Sequence, residues 1–222
     1  MYSRNVGGYE YTFGVSGMLW HGVLVMFDRE TDSLWTQLDG RSIEGEESGN
    51  TLEHVPSVFT TWAAWRDAHP ETLVLMKDSA ARAMTASNYA GYFDDPERTF
   101  LPHLGQGLGE GVGPKDVVFG VRDGELVLAV TEPRLAADGV VNGRLGDAPI
   151  AWLRNAATGA VTAVRRGEGE LEPIEGVPPT EAVRDAATGA RVEAGELEAL
   201  RVDRAFWYAW ARTVPGARVL TD

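Results

Sequence analysis

Cysteine is absent from the 222 residues. That one absence removes disulfides, thiolate metal sites, iron–sulfur clusters and a cysteine nucleophile together. Lysine is nearly absent too: only Lys77 and Lys115 occur, and the other basic residues are arginine. Histidine stops at four, His21, His54, His69 and His103, and no two of them stand at a helical or strand spacing for sharing a metal. Long hydrophobic runs are missing. The longest, Met18 to Phe27, is broken by His21 and Gly22 and falls short of the roughly 18 residues of a spanning helix. The opening Met-Tyr-Ser-Arg-Asn-Val-Gly-Gly lacks the apolar stretch of a secretory signal, so a cytoplasmic location is expected. A basic stripe is missing as well. Twenty Lys and Arg stand against 33 Asp and Glu, a net charge of −13, with the acids spread along the chain. Neither nucleic acid nor an anionic membrane is an expected partner.

What is present is a packable chain, 44% hydrophobic with seven Trp and 24% charged. Its most informative feature is a motif written twice. Trp62, Ala64, Trp65, Pro70, Val74 and Leu75 recur at identical spacing as Trp207, Ala209, Trp210, Pro215, Val219 and Leu220. Two Trp three apart share a helix face. The Pro stops the helix, and Val-Leu opens a strand. The sequence therefore predicts two copies of one helix–turn–strand unit, with the paired indoles buried in the core.

Strand patterns dominate elsewhere. Tyr9 to Val15 alternates, Ser16-Gly17 reads as a turn, and Met18 to Phe27 reads as one apolar strand. Ser33 to Leu38 is the next strand. Asp28-x-x-Thr31, Asn155-Ala-Ala-Thr158-Gly159 and Asp185-Ala-Ala-Thr188-Gly189 read as hairpin tips, because Asp or Asn opens such a turn by bonding its own backbone. Asp39 to Pro56 is a glycine-rich, acidic loop with short extended pieces. Phe59 to His69 is the first tryptophan helix, with Ser57, Thr60 or Thr61 as N-cap. Thr72 to Met76 reads as a strand and Ser79 to Phe93 as a weak helix. Gly105, Gly107, Gly109, Gly111 and Gly113 form a glycine-rich seam. After it come strands at Val117 to Val121, Leu126 to Val130, Ile150 to Leu153 and Ala160 to Arg165. Glu168 to Pro179 is a connector, and Val202 to Thr213 the second tryptophan helix. The fold class expected is α+β: a mostly antiparallel sheet, two related Trp-rich helices and an internal pseudo-duplication. One domain spans 1–222, in halves of about 1–100 and 115–222 joined by the seam.

Chemistry is harder to find. The glycine series does not fit a dinucleotide fingerprint, and Pro114 stands where a helix should open. His69 corresponds to Val214 in the second copy, so the unit folds without an imidazole there and His69 reads as a helix C-terminal residue. His103 reads as a solvated loop residue. His21 interrupts an apolar strand near Met18 and Met26, a donor set suited to Cu(I). Strand alternation puts the two Met on the face opposite His21, however, so such a site requires a bulge at Gly22. Asp28 and Arg29 follow a buried strand, and Trp35 and Gln37 lie on the next one. With His21 these five, His21, Asp28, Arg29, Trp35 and Gln37, form a candidate polar pocket, Asp28 as general base or Arg29 as anion clamp. Asp203-Arg204 reads as the N-cap of the second tryptophan helix.

The stretches Thr12 to Trp20, Leu24 to Thr31 and Ser33 to Gln37 resemble one family, the bacterial and archaeal proteins called domain of unknown function 3179. The segments Thr61 to Trp65 with His69-Pro70, and Phe206 to Trp210 with Pro215, are similar to that family's two tryptophan segments, so the resemblance covers nearly the whole chain. It implies no activity. Longer members carry a Cys-Pro-rich segment upstream of the first motif, and this chain has no Cys, so no thiol role carries over.

The expectation is therefore a module that binds a small molecule or a protein partner, with no recognisable catalytic centre. One alternative is a hydrolytic or metal-assisted enzyme around Asp28 and Arg29. Another is a copper- or zinc-binding protein using His and Met.

Overall fold

The computed structural model describes residues 1–74, 90–100, 102–108 and 111–220. A short ribbon, β1 (Asn5–Val6) with β2 (Tyr9–Glu10), leads into a four-stranded meander of β3 (Phe13–Trp20), β4 (Val23–Asp28), β5 (Leu34–Thr36) and β6 (Ser42–Glu44), hydrogen-bonded in that order. The short helices α1 (Trp62–Ala68) and α2 (Ala90–Phe93) follow, then a 3-10 turn at Pro102–Gly105. The remainder runs β7 (Val117–Asp123), β8 (Leu126–Thr131), α3 (Glu132–Asp138), β9 (Val140–Leu145), β10 (Ala148–Arg154), β11 (Val161–Arg165), β12 (Leu171–Pro173), β13 (Ala182–Asp185), β14 (Arg191–Glu193), β15 (Ala199–Leu200), β16 (Val202–Phe206) and α4 (Trp207–Thr213). These strands form sheets ordered β16-β7-β8, β15-β11-β10-β9 and β12-β13-β14. Every named strand pair is antiparallel.

The C-terminal part is layered, and the strand alternation shows why. On β7, Val118 packs toward α4 while Phe119 and Val121 pack toward the β9–β10 sheet. On β8, Val127 and Ala129 face α4, whereas Leu128 and Val130 face the other way. On β10, Ile150 and Trp152 join that same core, and Ala151 and Leu153 meet Leu171 and Val183 of the third sheet. Successive side chains point to opposite faces, so strands buried on both sides must be apolar throughout. That is how β7, β8 and β10 read.

Three Asx turns stand where the sequence places them. They connect β4 to β5, β10 to β11 and β13 to β14. Asn155 Oδ1 accepts from the backbone N–H of Ala157 and Thr158, and Asp185 Oδ1 does the same for Ala187 and Thr188.

Three expectations are corrected. Met18 to Phe27 is not one strand. Trp20 pairs with Val23, and the two residues between them have φ of 51° at His21 and 80° at Gly22, the twist of a tight hairpin turn. Ser16-Gly17, expected as the turn, is instead a bulge inside β3, where the register slips between Val15 and Leu19. The second tryptophan helix does not begin at Val202: Val202–Phe206 is a strand paired with β7, and the helix opens at Trp207.

A fourth correction concerns the indoles. Both motif copies do form seven-residue helices that open on the first Trp. In α4 the rings are core, with Trp207 5% and Trp210 0% exposed. In α1 they are not: Trp62 is 52% and Trp65 40% exposed, and no α1 residue is buried. Packing partners make the difference. Trp210 lies flat on Gly120 of β7, where an added Cβ would come within 2.2 Å of the ring. Residues 72–74 form no strand, and Leu75 and Met76 of the expected strand lie outside the described residues, as does most of the expected helix Ser79 to Phe93.

Residues 103–108, at the start of the glycine-rich seam, fold onto α4. The Trp207 indole donates to the Leu108 carbonyl at 3.2 Å, and the Arg212 guanidinium reaches the carbonyls of His103, Leu104 and Gln106.

Candidate functional site

The N-terminal meander meets the C-terminal layers at α4. Val23 of β4 packs with Leu104, Tyr208 and Ala209. Gly22 sits so close to Tyr208 that a Cβ would come within 2.5 Å of its ring. Beside this junction lies a cleft of ≈ 700 Å³ between the meander and β16. Leu24, Met26 and Leu38 line one side and Phe119, Val202 and Phe206 the other. Its polar lining includes Tyr2, Gln37, His54, Ser57, Asp203, Arg204 and Tyr208.

Among the described residues Asp203 is the only carboxylate in that lining, and both its oxygens are engaged. Arg122 donates to Oδ2 from Nε at 3.0 Å and from Nη2 at 2.6 Å, while Arg201 Nε donates to Oδ1 at 2.9 Å. Arg201 also donates to the Tyr2 hydroxyl and to the Leu38 carbonyl, both at 2.8 Å. This two-arginine clamp ties β7, β16 and the N-terminal segment together. Asp203, expected as a helix cap, is therefore the hub of an ion-pair network on a strand.

His54 lies on the same wall, edge-on to Tyr2 at 6.0 Å between ring centroids. Burial lowers its pKa below the ordinary histidine value. The nearby Arg201 guanidinium lowers it further, and Asp203 opposes both. Behind Phe206 is a second buried cation. Lys115, 8% exposed, donates to the Asp95 carbonyl at 2.7 Å and to the Tyr92 carbonyl, with Nζ 4.0 Å from the Tyr92 ring centroid. The hydroxyls of Tyr92 and Tyr208 bond each other at 3.0 Å. Burial, then this bond, pushes the Tyr208 phenol above its usual range. Lys115 thus pegs α2 to the β16–α4 corner.

The five residues expected to share a pocket are distributed as follows. Asp28 and Trp35 are together and fully buried: the indole donates to Asp28 Oδ2 at 2.8 Å. Asp28 Oδ1 accepts from the Thr31 backbone at 2.6 Å and from the Thr31 hydroxyl at 2.9 Å. The chain of bonds continues through Ser33 to Glu47 and the Tyr11 hydroxyl, whose pKa is pushed up to about 12 by its bond to the Glu47 carboxylate. Burial alone raises the Asp28 pKa, but the hydrogen bonds from Trp35 and Thr31 outweigh it and hold the carboxyl below its ordinary value. Asp28 is thereby a strut of the β4–β5 turn. Arg29 is exposed and lies over the Phe27 ring at 5.2 Å. His21 is exposed at the β3–β4 tip, its ring tilted against Trp20 with centroids 4.8 Å apart. Gln37 alone of the five lines the cleft. Among the described residues no group of three or more His, Asp or Glu side chains is placed to hold a metal ion.

The family model described as "Protein of unknown function (DUF3179)" matches residues 1–217. The chain belongs to that family. No curated protein sequence and no solved structure matches it. Its membership in DUF3179 agrees with the resemblance carried by the Thr12-to-Trp20, Leu24-to-Thr31 and Ser33-to-Gln37 stretches and by both tryptophan segments. Among the described residues of this DUF3179 chain, no helix is long and apolar enough to cross a membrane.

Sequence reasoning missed Arg122, Arg201, His54 and Tyr2. One signal was available: Val202-Asp203-Arg204-Ala205-Phe206 alternates as a strand does, which places Asp203 within a strand and not at a helix start.

Proposed function

We propose that this DUF3179 protein is a binding module that takes a small molecule in the cleft between the meander and β16. The carrying observation is the cleft itself. Its volume of ≈ 700 Å³ falls within the range of about 300–1,000 Å³ usual for ligand pockets, and its mainly apolar walls with a few polar groups match their composition. The hollow of ≈ 650 Å³ beside the seam is lined half by glycine, with Glu97 its one charged side chain among the described residues, and offers few groups for recognition.

The enzyme alternative finds less support. Asp28, its general base, is buried with its oxygens occupied by Thr31 and Trp35, and Arg29 is turned to solvent. The copper or zinc alternative would draw on Met26, which lines the cleft, and on His21, which stands at the exposed hairpin tip. The doubled tryptophan unit is read as a duplication whose first copy has lost its packing partner. The equal bounds of α1 and α4 relative to the motif support this.

The test uses N-phenyl-1-naphthylamine, a neutral apolar fluorophore of ligand size. Its emission rises on titration with the native protein and saturates at one site. Gln37→Trp and Val58→Trp, which crowd the cleft from exposed positions, weaken that binding without lowering the melting temperature. A titration with no saturable rise removes the reading.

A further inference from the structure

The charge around the cleft is opposite to that of the molecule. The chain carries 33 acidic residues and a net charge of −13, yet among the described residues the cleft lining holds one carboxylate, Asp203, and two arginines already neutralise it. One carboxylate cannot balance both Arg122 and Arg201, so a positive charge remains in the clamp. Arg204 adds a second cation at the lining itself. Its guanidinium lies 4.6 Å over the Phe59 ring and 3.8 Å from Glu132, beyond hydrogen-bond range, and among the described residues it makes no hydrogen bond. Lys115 stands behind Phe206, 5.8 Å from that ring. It has carbonyl partners, which leave its charge uncancelled. Low-dielectric walls strengthen such a field relative to open surface.

We infer that the ligand of this cleft is an anion with an apolar body, a carboxylate or sulfonate whose charged head meets Arg204, with the net positive Arg201–Arg122–Asp203 clamp beside it, while its hydrocarbon part lies against Leu24, Leu38 and Phe119. The inference rests on the cleft being a binding site, as proposed above. Three observations converge on it: the near-absence of carboxylates from the lining, the surplus guanidinium of the clamp, and the Arg204 donors without a hydrogen-bond acceptor. A guanidinium whose nearest described carboxylate, Glu132, stands 3.8 Å away without a hydrogen bond is a ready donor for a planar anionic group.

Two probes separate this inference from the reading it rests on. 8-Anilino-1-naphthalenesulfonate has the same aromatic body as N-phenyl-1-naphthylamine plus one sulfonate. The anion binds native protein about tenfold more tightly than the neutral probe, the scale of one charge-assisted hydrogen bond. Arg204→Gln removes most of that preference and leaves the neutral probe's affinity unchanged, and added salt narrows the gap. If both probes bind with equal affinity, the cleft stands as a binding site and the anion inference is overturned. If neither binds, both are overturned. If the anion is preferred but Arg204→Gln leaves the preference intact, far-UV circular dichroism being native, the assignment of the head to Arg204 is wrong and the inference as stated fails.

Discussion

The indole N–H of Trp35 meets Asp28 Oδ2 at 2.8 Å with both residues at 0% exposure. A buried carboxylate is tolerable only because its oxygens are filled, and the indole supplies one of those bonds. Trp35→Phe keeps most of the ring and deletes the donor. The expected cost is about 1–3 kcal/mol, read from the urea midpoint at pH 7. An unchanged midpoint would show that the carboxylate does not depend on this bond.

Acid stability follows from the same carboxylate and from His54. Asp28 has a folded pKa below its unfolded value near 3.9. Its contribution is complete above that value and is lost as the pH falls through the folded pKa. His54 is also lowered, from about 6.5. The unfolded chain therefore takes up that proton first, and stability begins to fall as the pH drops below about 6.5. Melting temperature against pH should show two declines, the upper one removed by His54→Gln and the lower one retained.

Gly120 has no room for a side chain beneath Trp210: a Cβ would lie 2.2 Å from the ring. Gly120→Ala is expected to cost about 1–3 kcal/mol or more through overpacking. Gly195 has open space within 4 Å and no left-handed φ, so Gly195→Ala is the control and should be near neutral. Equal effects in denaturant melts would contradict the packing account of α4.

The two tryptophan helices make opposite predictions. Trp210→Ala opens a cavity in the α4 core and should cost about 3–5 kcal/mol. Trp62→Ala, at a residue 52% exposed, should stay within about 0.5 kcal/mol. A large loss from Trp62→Ala would mean that a partner or another part of the chain covers that ring in solution.

How much of this was legible depends on the range of the interaction. The three Asx turns are local: Asp28, Asn155 and Asp185 each bond a backbone two or three residues ahead, and four letters suffice to write that. The doubly buried strands β7, β8 and β10 are legible because burial on two faces needs an unbroken apolar run. The His21-Gly22 turn was hidden because an apolar hairpin with a two-residue connection looks like one long strand. The repeated Trp-x-Ala-Trp revealed two helices correctly. It could not reveal that only one finds a glycine-floored sheet to lie on, since Gly120 and Trp210 are far apart in the chain. The clamp was equally invisible: Arg122 and Asp203 are separated by 81 residues, and nothing at either position announces the other. Cleft walls drawn from the meander, β7 and β16 exist only once those parts are packed.

The contact of Gly22 with Tyr208 has a practical consequence for altering the chain's length. Additional residues between Trp20 and Val23 would be driven into α4, so that hairpin cannot be lengthened without displacing the corner it abuts. The tips at residues 156–159 and 186–189 face outward at the far ends of their hairpins, and a Cβ at either Gly159 or Gly189 would meet nothing within 4 Å. Peptide tags, spectroscopic labels or split points for fragment complementation belong at these two loops, where the fold can host foreign sequence and leave the cleft undisturbed.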